Sequence, residues 1–262
     1  MAAADVMKTR PAQARTGIGV TQVRLILIVV IFGAWEVMAR SGLLYRDVVP
    51  PLEAIGLALV KLLSSGMFYW NLGVTVSEVL AALAIGGCIG FMTGVLLGGS
   101  RFFGRALEPY IYYLGPTPKI IFFPIMIMWF GVGPGSKIAM GAVSCFFPIA
   151  LSAAASMRQI DAVLIRVGRS FRANQWQMAM KIYLPAMRSS VMNGIRLGLG
   201  IAIIGTLLAE TKLSNKGVGY LIMQAYSVFD MPRMYALLIT LFAFAIGANA
   251  IVGRFGGPAA RK

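Results

Sequence analysis

Long apolar runs alternate with short basic stretches along this chain. Three runs, 79–100, 138–157 and 234–253, carry no charged residue. Each reaches the roughly 20 residues that a helix needs to cross a bilayer. A fourth, 120–136, extends back through 109–118 with Lys119 as its one interruption. Two weaker runs complete the set: 25–35, continuing past Glu36 to Ala39, and 191–209, broken by Arg196. The pattern predicts six spans, at about 21–39, 72–99, 108–131, 137–157, 190–210 and 233–253. That is an all-α polytopic membrane bundle, with tails at 1–20 and 254–262 and a long loop at 158–189.

Composition narrows the class further. Hydrophobic residues make up 58% of the 262 and charged residues 13%, with a mean hydropathy of +0.79. A soluble domain carries about 25% charged residues. Cys88 and Cys145 each lie inside an apolar run, so no disulfide scaffold is expected. Histidine is absent, which removes His-based acid–base catalysis and His-ligated metals. The net charge of +15 would suggest nucleic acid on a polar chain. Here the basic residues sit between the apolar runs, so they report membrane orientation and no nucleic-acid partner is expected.

Counting Lys and Arg on alternate sides gives fifteen against seven. The richer side holds Lys8, Arg10, Arg15, Arg24, Arg101, Arg105, the arginines and Lys181 of the 158–189 loop, and Arg254, Arg261 and Lys262. Both termini are therefore expected in the cytoplasm. An odd number of spans would spoil the alternation. A leader-peptide reading of the N-terminus competes, with Val37-Met38-Ala39 as a cleavage site, but Trp35 and Glu36 sit badly before it.

Within the spans, Gly86, Gly90, Gly94 and Gly98 recur every four residues, and Gly194 and Gly198 repeat the device. Such a stripe lets another backbone approach closely. Pro116, Pro118 and Pro124 interrupt the third span beside Lys119. Proline removes a helical donor, and such breaks persist in membranes where neighbours or a water-lined path satisfy the backbone. Pro118, Lys119, Phe123, Pro124 and Trp129 are accordingly candidates for lining a solute path, although Lys119 can also snorkel to the interface. Among the other ionisable residues, Glu36, Glu78 and Glu210 lie near enough to span ends to snorkel, which leaves Arg196 as the further path candidate.

Gly131–Lys137 superficially resembles a phosphate-binding loop, but its Ser-Lys order is reversed and its spacing short. The chain shows no nucleotide site, metal site or catalytic constellation of its own. In the 158–189 loop, helical spacing sets Arg158, Arg166, Arg169 and Arg172 opposite Ile160, Val163, Leu164, Val167 and Phe171. Periodicity allows either a helix lying on lipid headgroups or one presented to a cytoplasmic partner.

The end of this loop, Ile182-Tyr183-Leu184-Pro185, resembles the EAA signature of ABC importer permeases: Glu-Ala-Ala, three residues, Gly, nine residues, Ile-x-Leu-Pro. Counted back, the glycine position falls on Arg172 and the Glu-Ala-Ala positions on Arg166, Val167 and Gly168. Arginine thus replaces both the glutamate and the glycine, while Ala173-Asn174 and Trp176-Gln177 fit the flanks. Trp129-Phe130-Gly131-Val132-Gly133, Phe146-Phe147-Pro148-Ile149, Ala209-Glu210 and Gly217-Val218-Gly219-Tyr220-Leu221-Ile222 resemble the nitrate/sulfonate/taurine branch. Pro50-Pro51-Leu52-Glu53 and Glu78, where the branch often has arginine, depart from it.

The resemblance, over roughly residues 25–253, implies a non-enzymatic permease subunit in the cell inner membrane. It implies a second permease copy, two cytoplasmic ATP-binding subunits that alone use ATP, and an extracytoplasmic solute-binding protein. No cofactor would be bound directly. Val163, Leu164, Arg166, Val167, Gly168, Arg169, Phe171, Arg172, Ala173 and Asn174 would form the helix that couples to the ATPase. The solute would be a small anion such as a sulfonate, taurine or nitrate-like compound. A secondary transporter or a non-transporting channel or scaffold subunit are the alternatives. The first tends to show internal repeats and midplane ion sites, and this chain shows neither.

Overall fold

The computed structural model describes residues 19–42 and 48–255. The basic N-terminal stretch before residue 19, Arg46, Arg261 and Lys262 lie outside the described residues, and so does most of both predicted tails. Every element among the described residues is helical.

The chain divides into two units at Glu53 and Ala54. In the first, α1 (Val20–Arg40) buries none of its side chains within the chain. A helix of this length and largely apolar composition suits a lipid surround. Glu36 accepts hydrogen bonds from Arg40 Nε at 2.6 Å and from the Leu52 N–H at 3.0 Å. It thereby closes its own end of the unit.

The second unit is built on three long helices: α3 (Gly66–Gly99), α6 (Pro134–Arg158) and α9 (Leu184–Lys212). The glycine stripe of α3 explains their packing. Gly86 lies on Ala142, Gly90 on Phe146, Gly94 on Ala150 and Gly98 on Ala154, each against a backbone carbonyl that any Cβ would strike. Both partners rise in number together, so α3 and α6 run parallel at backbone contact. On the other side of α6 the pairs run in opposite senses: Gly194 meets Ser152, Gly198 meets Ile149, and Gly205 meets Ser144. Helix α6 is therefore held between a parallel and an antiparallel neighbour. α11 (Met231–Phe255) covers Val79, Leu199 and Ile203 with Phe244, Ala245 and Ala248.

The third predicted span is not one helix. α4 (Arg101–Leu114) and α5 (Phe123–Phe130), the latter preceded by a 3-10 turn at Lys119–Phe122, are bent by 94° at the proline break. Five helices are long and apolar enough to cross a membrane, and the bent pair makes a sixth span if counted as one. α4 begins at Arg101, so Arg101 and Arg105 belong to a helix and not, as expected, to an interhelical loop. Pro185, at the start of α9, does not end the helical run. α8 (Gln175–Met178), a π turn (Ala179–Tyr183) and α9 run on as one 38-residue segment. A π turn is a usual way for a helix to absorb a local break.

Three short helices complete the unit: α2 (Leu52–Leu63), α7 (Ala162–Ser170) and α10 (Val218–Ser227). Neither α2 nor α10 was anticipated, because each lies between predicted spans and is short. Leu62 of α2 and Val218, Leu221 and Ala225 of α10 share a core with Phe68, Ala236 and Leu237.

Candidate functional sites

The 158–189 loop begins differently from its helical-wheel reading. α6 continues to Arg158, which pairs with Glu108, and α7 starts only at Ala162. Ile160 lies between them and is buried with Ala153 and Met187. Asp161 caps α7 by accepting the Val163 N–H at 2.7 Å.

α7 seats on its own chain through a side the apolar stripe does not include. Ile165 packs into the cluster of Ala153, Ile160 and Met187. Gly168 is the buried residue of α7, and a Cβ there would meet Met178 Sδ at 2.5 Å and Ile182. This is a reason for a small residue at the second alanine position of the signature. Val163, Leu164 and Val167 stay about half exposed, and Phe171 is 82% exposed. Arg166 and Arg169 are exposed beside them.

The helix ends at Ser170, short of the predicted Asn174, in a Schellman turn. Arg172 N–H donates to Arg169 O at 2.9 Å and Ala173 N–H to Gly168 O at 3.0 Å. Arg172 carries φ +50°, the left-handed conformation that favours glycine. The register that set Arg172 on the signature's glycine thus has a conformational basis. Asn174 then opens α8 with a reciprocal cap, its side chain accepting from Gln177 N–H at 2.8 Å and its N–H donating to Gln177 Oε1 at 3.0 Å.

The path candidates separate. Lys119 does not reach outward: its ammonium donates to the Gly115 carbonyl and, at 3.1 Å, to that of Thr117, with the Phe147 ring 4.9 Å away. It satisfies carbonyls freed where the prolines end α4. Phe123 turns into the core with Met126, Met140 and Ala209. Pro118, Pro124 and Trp129 are exposed along the 3-10 turn and α5. Arg196 is exposed on α9 in a groove of about 640 Å³ walled by α9 and α11, with Asn193 and Asn249 as its other polar residues.

The structure also assembles a polar site that the sequence reading passed over. Glu210 is 1% exposed, Lys137 1% and Glu78 4%. None of them snorkels, and Lys137 is no surface residue. Glu210 Oε1 accepts from the Thr75 hydroxyl and Oε2 from the Gly219 N–H, both at 2.7 Å. Thr75 Oγ1 accepts the Val218 N–H and Asn71 Oδ1 the Gly217 N–H, both at 2.8 Å. Three successive backbone donors at the start of α10 are thereby taken up, with a carboxylate at the helix N-terminus. Gly217 has φ +100°, and a Cβ on Gly219 would strike Glu210, which accounts for both glycines of the Gly-Val-Gly motif.

Lys137 donates to the carbonyls of Val132 and, at 3.0 Å, of Gly133, closing the turn into α6 as Lys119 closes the turn into α5. Glu78 lines a cavity of about 230 Å³ with Lys137, and its Oε2 has no hydrogen-bond partner among the described residues. One signal in the sequence could have revealed this face: Asn71, Thr75 and Glu78 are spaced i, i+4, i+7.

A glycine-packed helical core, a span broken by prolines and a short helix presented at the end of α6 define a polytopic membrane protein. The fold is similar to that of the methionine ABC transporter MetNI in inward-facing crystal forms. One such chain is matched with a TM-score of 0.62 at 21% identity, covering 75% of this chain and 100% of that one. Residues 86–256 match the family described as binding-protein-dependent transport system inner membrane component. The chain belongs to that family and is an ABC transporter permease with a place in the inner membrane.

Among its relatives, a Bacillus subtilis protein bearing the name of an aliphatic sulfonates transport permease, SsuC, is 31% identical over 90% of this chain and 84% of its own. The Escherichia coli protein of that name is 31% identical over 81% of both chains. The Escherichia coli taurine transport system permease TauC is 26% identical over 84% of this chain and 82% of its own.

Proposed function

We propose that this chain forms, with a second copy of itself, the solute path of an importer driven by two cytoplasmic ATP-binding subunits and fed by a solute-binding protein. ATP is bound and hydrolysed by the partner subunits, and this chain is not an enzyme and holds no cofactor. The solute is a small anion of the sulfonate or taurine kind, a reading supported by the names of relatives that align over most of the chain. Both termini lie in the cytoplasm, as the basic asymmetry favours. Pro118, Lys119, Phe123, Pro124 and Trp129 belong to the path segment, Lys119 shaping its bend, and Arg196 supplies positive charge toward the anion.

One observation carries the coupling role: α7 seats through Ile165 and Gly168 and leaves Val163, Leu164, Val167 and Phe171 uncovered. Those side chains fill a cleft in the ATPase, and Arg166, Arg169 and Arg172 pair with acidic groups at its rim. Ala173 and Asn174 hold the turn that follows. Rim charges steer association and partner choice more than affinity.

The test is the reconstituted importer with its ATPase and binding protein. Burying a large apolar side chain is worth roughly 1.5–3 kcal/mol, so Phe171→Ala should cut solute-stimulated ATP hydrolysis about tenfold or more. The amount of permease in the membrane should hold. Wild-type stimulation by Phe171→Ala would remove the coupling assignment.

A further inference from the structure

Where α3 passes into α4, an open cavity of about 890 Å³ lies between the end of α3, α4 and the last turn of α6. Arg101, Arg105, Glu108 and Tyr112 fall at i, i+4, i+7 and i+11, one stripe of α4, and all four line the cavity. Arg158 closes the opposite wall from α6. The three arginines face a single acid, and that acid is engaged: Arg158 donates to the Glu108 carboxylate. Arg101 and Arg105 are both exposed, and neither forms an ion pair among the described residues. The cavity therefore presents a net positive charge that its own chain does not neutralise.

Its depth in the membrane follows from the neighbouring sequence. The charge-free run of α3 ends at Ser100, so the cavity opens where hydrocarbon gives way to headgroups. Tyr112 and Tyr113, both exposed, line it as well. Phe102 and Phe103, on the other faces of the same helix, are exposed.

We propose that this cavity binds the headgroup of an anionic phospholipid, with Arg101 and Arg105 on its phosphate and the acyl chains lying along the exposed apolar face of α4. The proposal rests on the membrane placement of the chain and not on its ATPase partner. Glu108 sets the affinity by holding Arg158 away from the lipid.

Native mass spectrometry of the full chain in detergent, titrated with phosphatidylglycerol and with phosphatidylcholine of the same acyl composition, tests it. Wild type should bind phosphatidylglycerol at least tenfold more tightly. Each basic residue near an anionic lipid surface contributes about a factor of five, so Arg101→Gln with Arg105→Gln should weaken phosphatidylglycerol binding about thirtyfold. Phosphatidylcholine, whose choline offsets the phosphate charge, should lose far less binding in that variant, which also shows that it is folded.

Glu108→Gln, which frees Arg158, should tighten phosphatidylglycerol binding about fivefold, whereas a merely structural ion pair would leave it unchanged or weaken it. Lys212→Gln with Lys216→Gln, the same charge change elsewhere, should have no effect. Equal binding of the two lipids would overturn the proposal. So would an equal loss in the lysine pair, no gain or a loss in Glu108→Gln, or full displacement of the lipid by millimolar inorganic phosphate.

Discussion

Two short helices link long ones in this permease, α7 after α6 and α10 after α9, and they end alike. α10 stops in the same Schellman turn as α7: Asp230 N–H donates to Ala225 O at 2.9 Å, and Phe229 holds φ +58° where α7 has Arg172 at +50°. In both, a side chain occupies a backbone conformation that glycine enters more cheaply. Their faces differ. α10 sinks Val218, Leu221 and Ala225 into a core, and its first amides are held by Asn71, Thr75 and Glu210. α7 seats through one glycine and one isoleucine and leaves a phenylalanine in the open. Two helices with the same local design thus divide by what lies beside them. A helix whose apolar face is covered serves stability. One whose face is uncovered at the end of a membrane bundle remains available for binding.

Substitutions can break this contrast or sharpen it. The largest stability effect is expected from Glu210→Ala. It leaves the Thr75 hydroxyl and the Gly219 N–H without their acceptor, and a hydrogen bond to a charged group is worth about 1.5–3 kcal/mol. A loss of about 3 kcal/mol should register in thermal unfolding of the permease in detergent. An unchanged midpoint would mean that α10 is not held by this carboxylate.

Next comes Gly168→Val, which drives a branched side chain into Met178 and Ile182. Overpacking of this kind costs about 1–3 kcal/mol, and protease cleavage around 161–175 should rise as α7 leaves its seat. Resistance equal to wild type would place the seat elsewhere.

Arg172→Gly should act in the opposite direction. It relieves a left-handed arginine worth about 1 kcal/mol, and hydrogen exchange at the Arg172 and Ala173 amides should slow. Faster exchange would show that the arginine side chain holds the turn. Phe171→Ala should move stability least, by under about 0.5 kcal/mol, since exposed sites away from special contacts rarely matter more. The same change is the one expected to cut coupling most. A destabilising Phe171→Ala would erase the difference between the two helices.

Much of the fold is legible in local pattern. The Gly86–Gly98 stripe announced a backbone contact four residues at a time, and it became the parallel α3–α6 interface. The prolines at 116, 118 and 124 announced a broken span, and the chain bends there by 94°. The polar site was less legible. Glu78 and Glu210 each sit near the end of an apolar run, where a single carboxylate ordinarily reaches water, and nothing in either run names the other helix. Lys119 and Lys137 raised the same difficulty. Each ammonium folds back on backbone carbonyls at a helix break, a partner supplied by backbone geometry and invisible to residue type.

By itself the sequence determined the apolar runs, the places where they break, the alternation of charge between them and the opposed faces of α7, because each depends on residues close together along the chain. Tertiary structure alone decided which faces would be covered. Glu210 is buried because Thr75 of α3, 135 residues before it, and Gly219 of α10, nine residues after, pack against α9 at that point. Phe171 is exposed because Ile165 and Gly168 reached Met187, Met178 and Ile182 first. Burial is a property of neighbours, and the neighbours here are chosen by helix–helix contact across long separations in the chain.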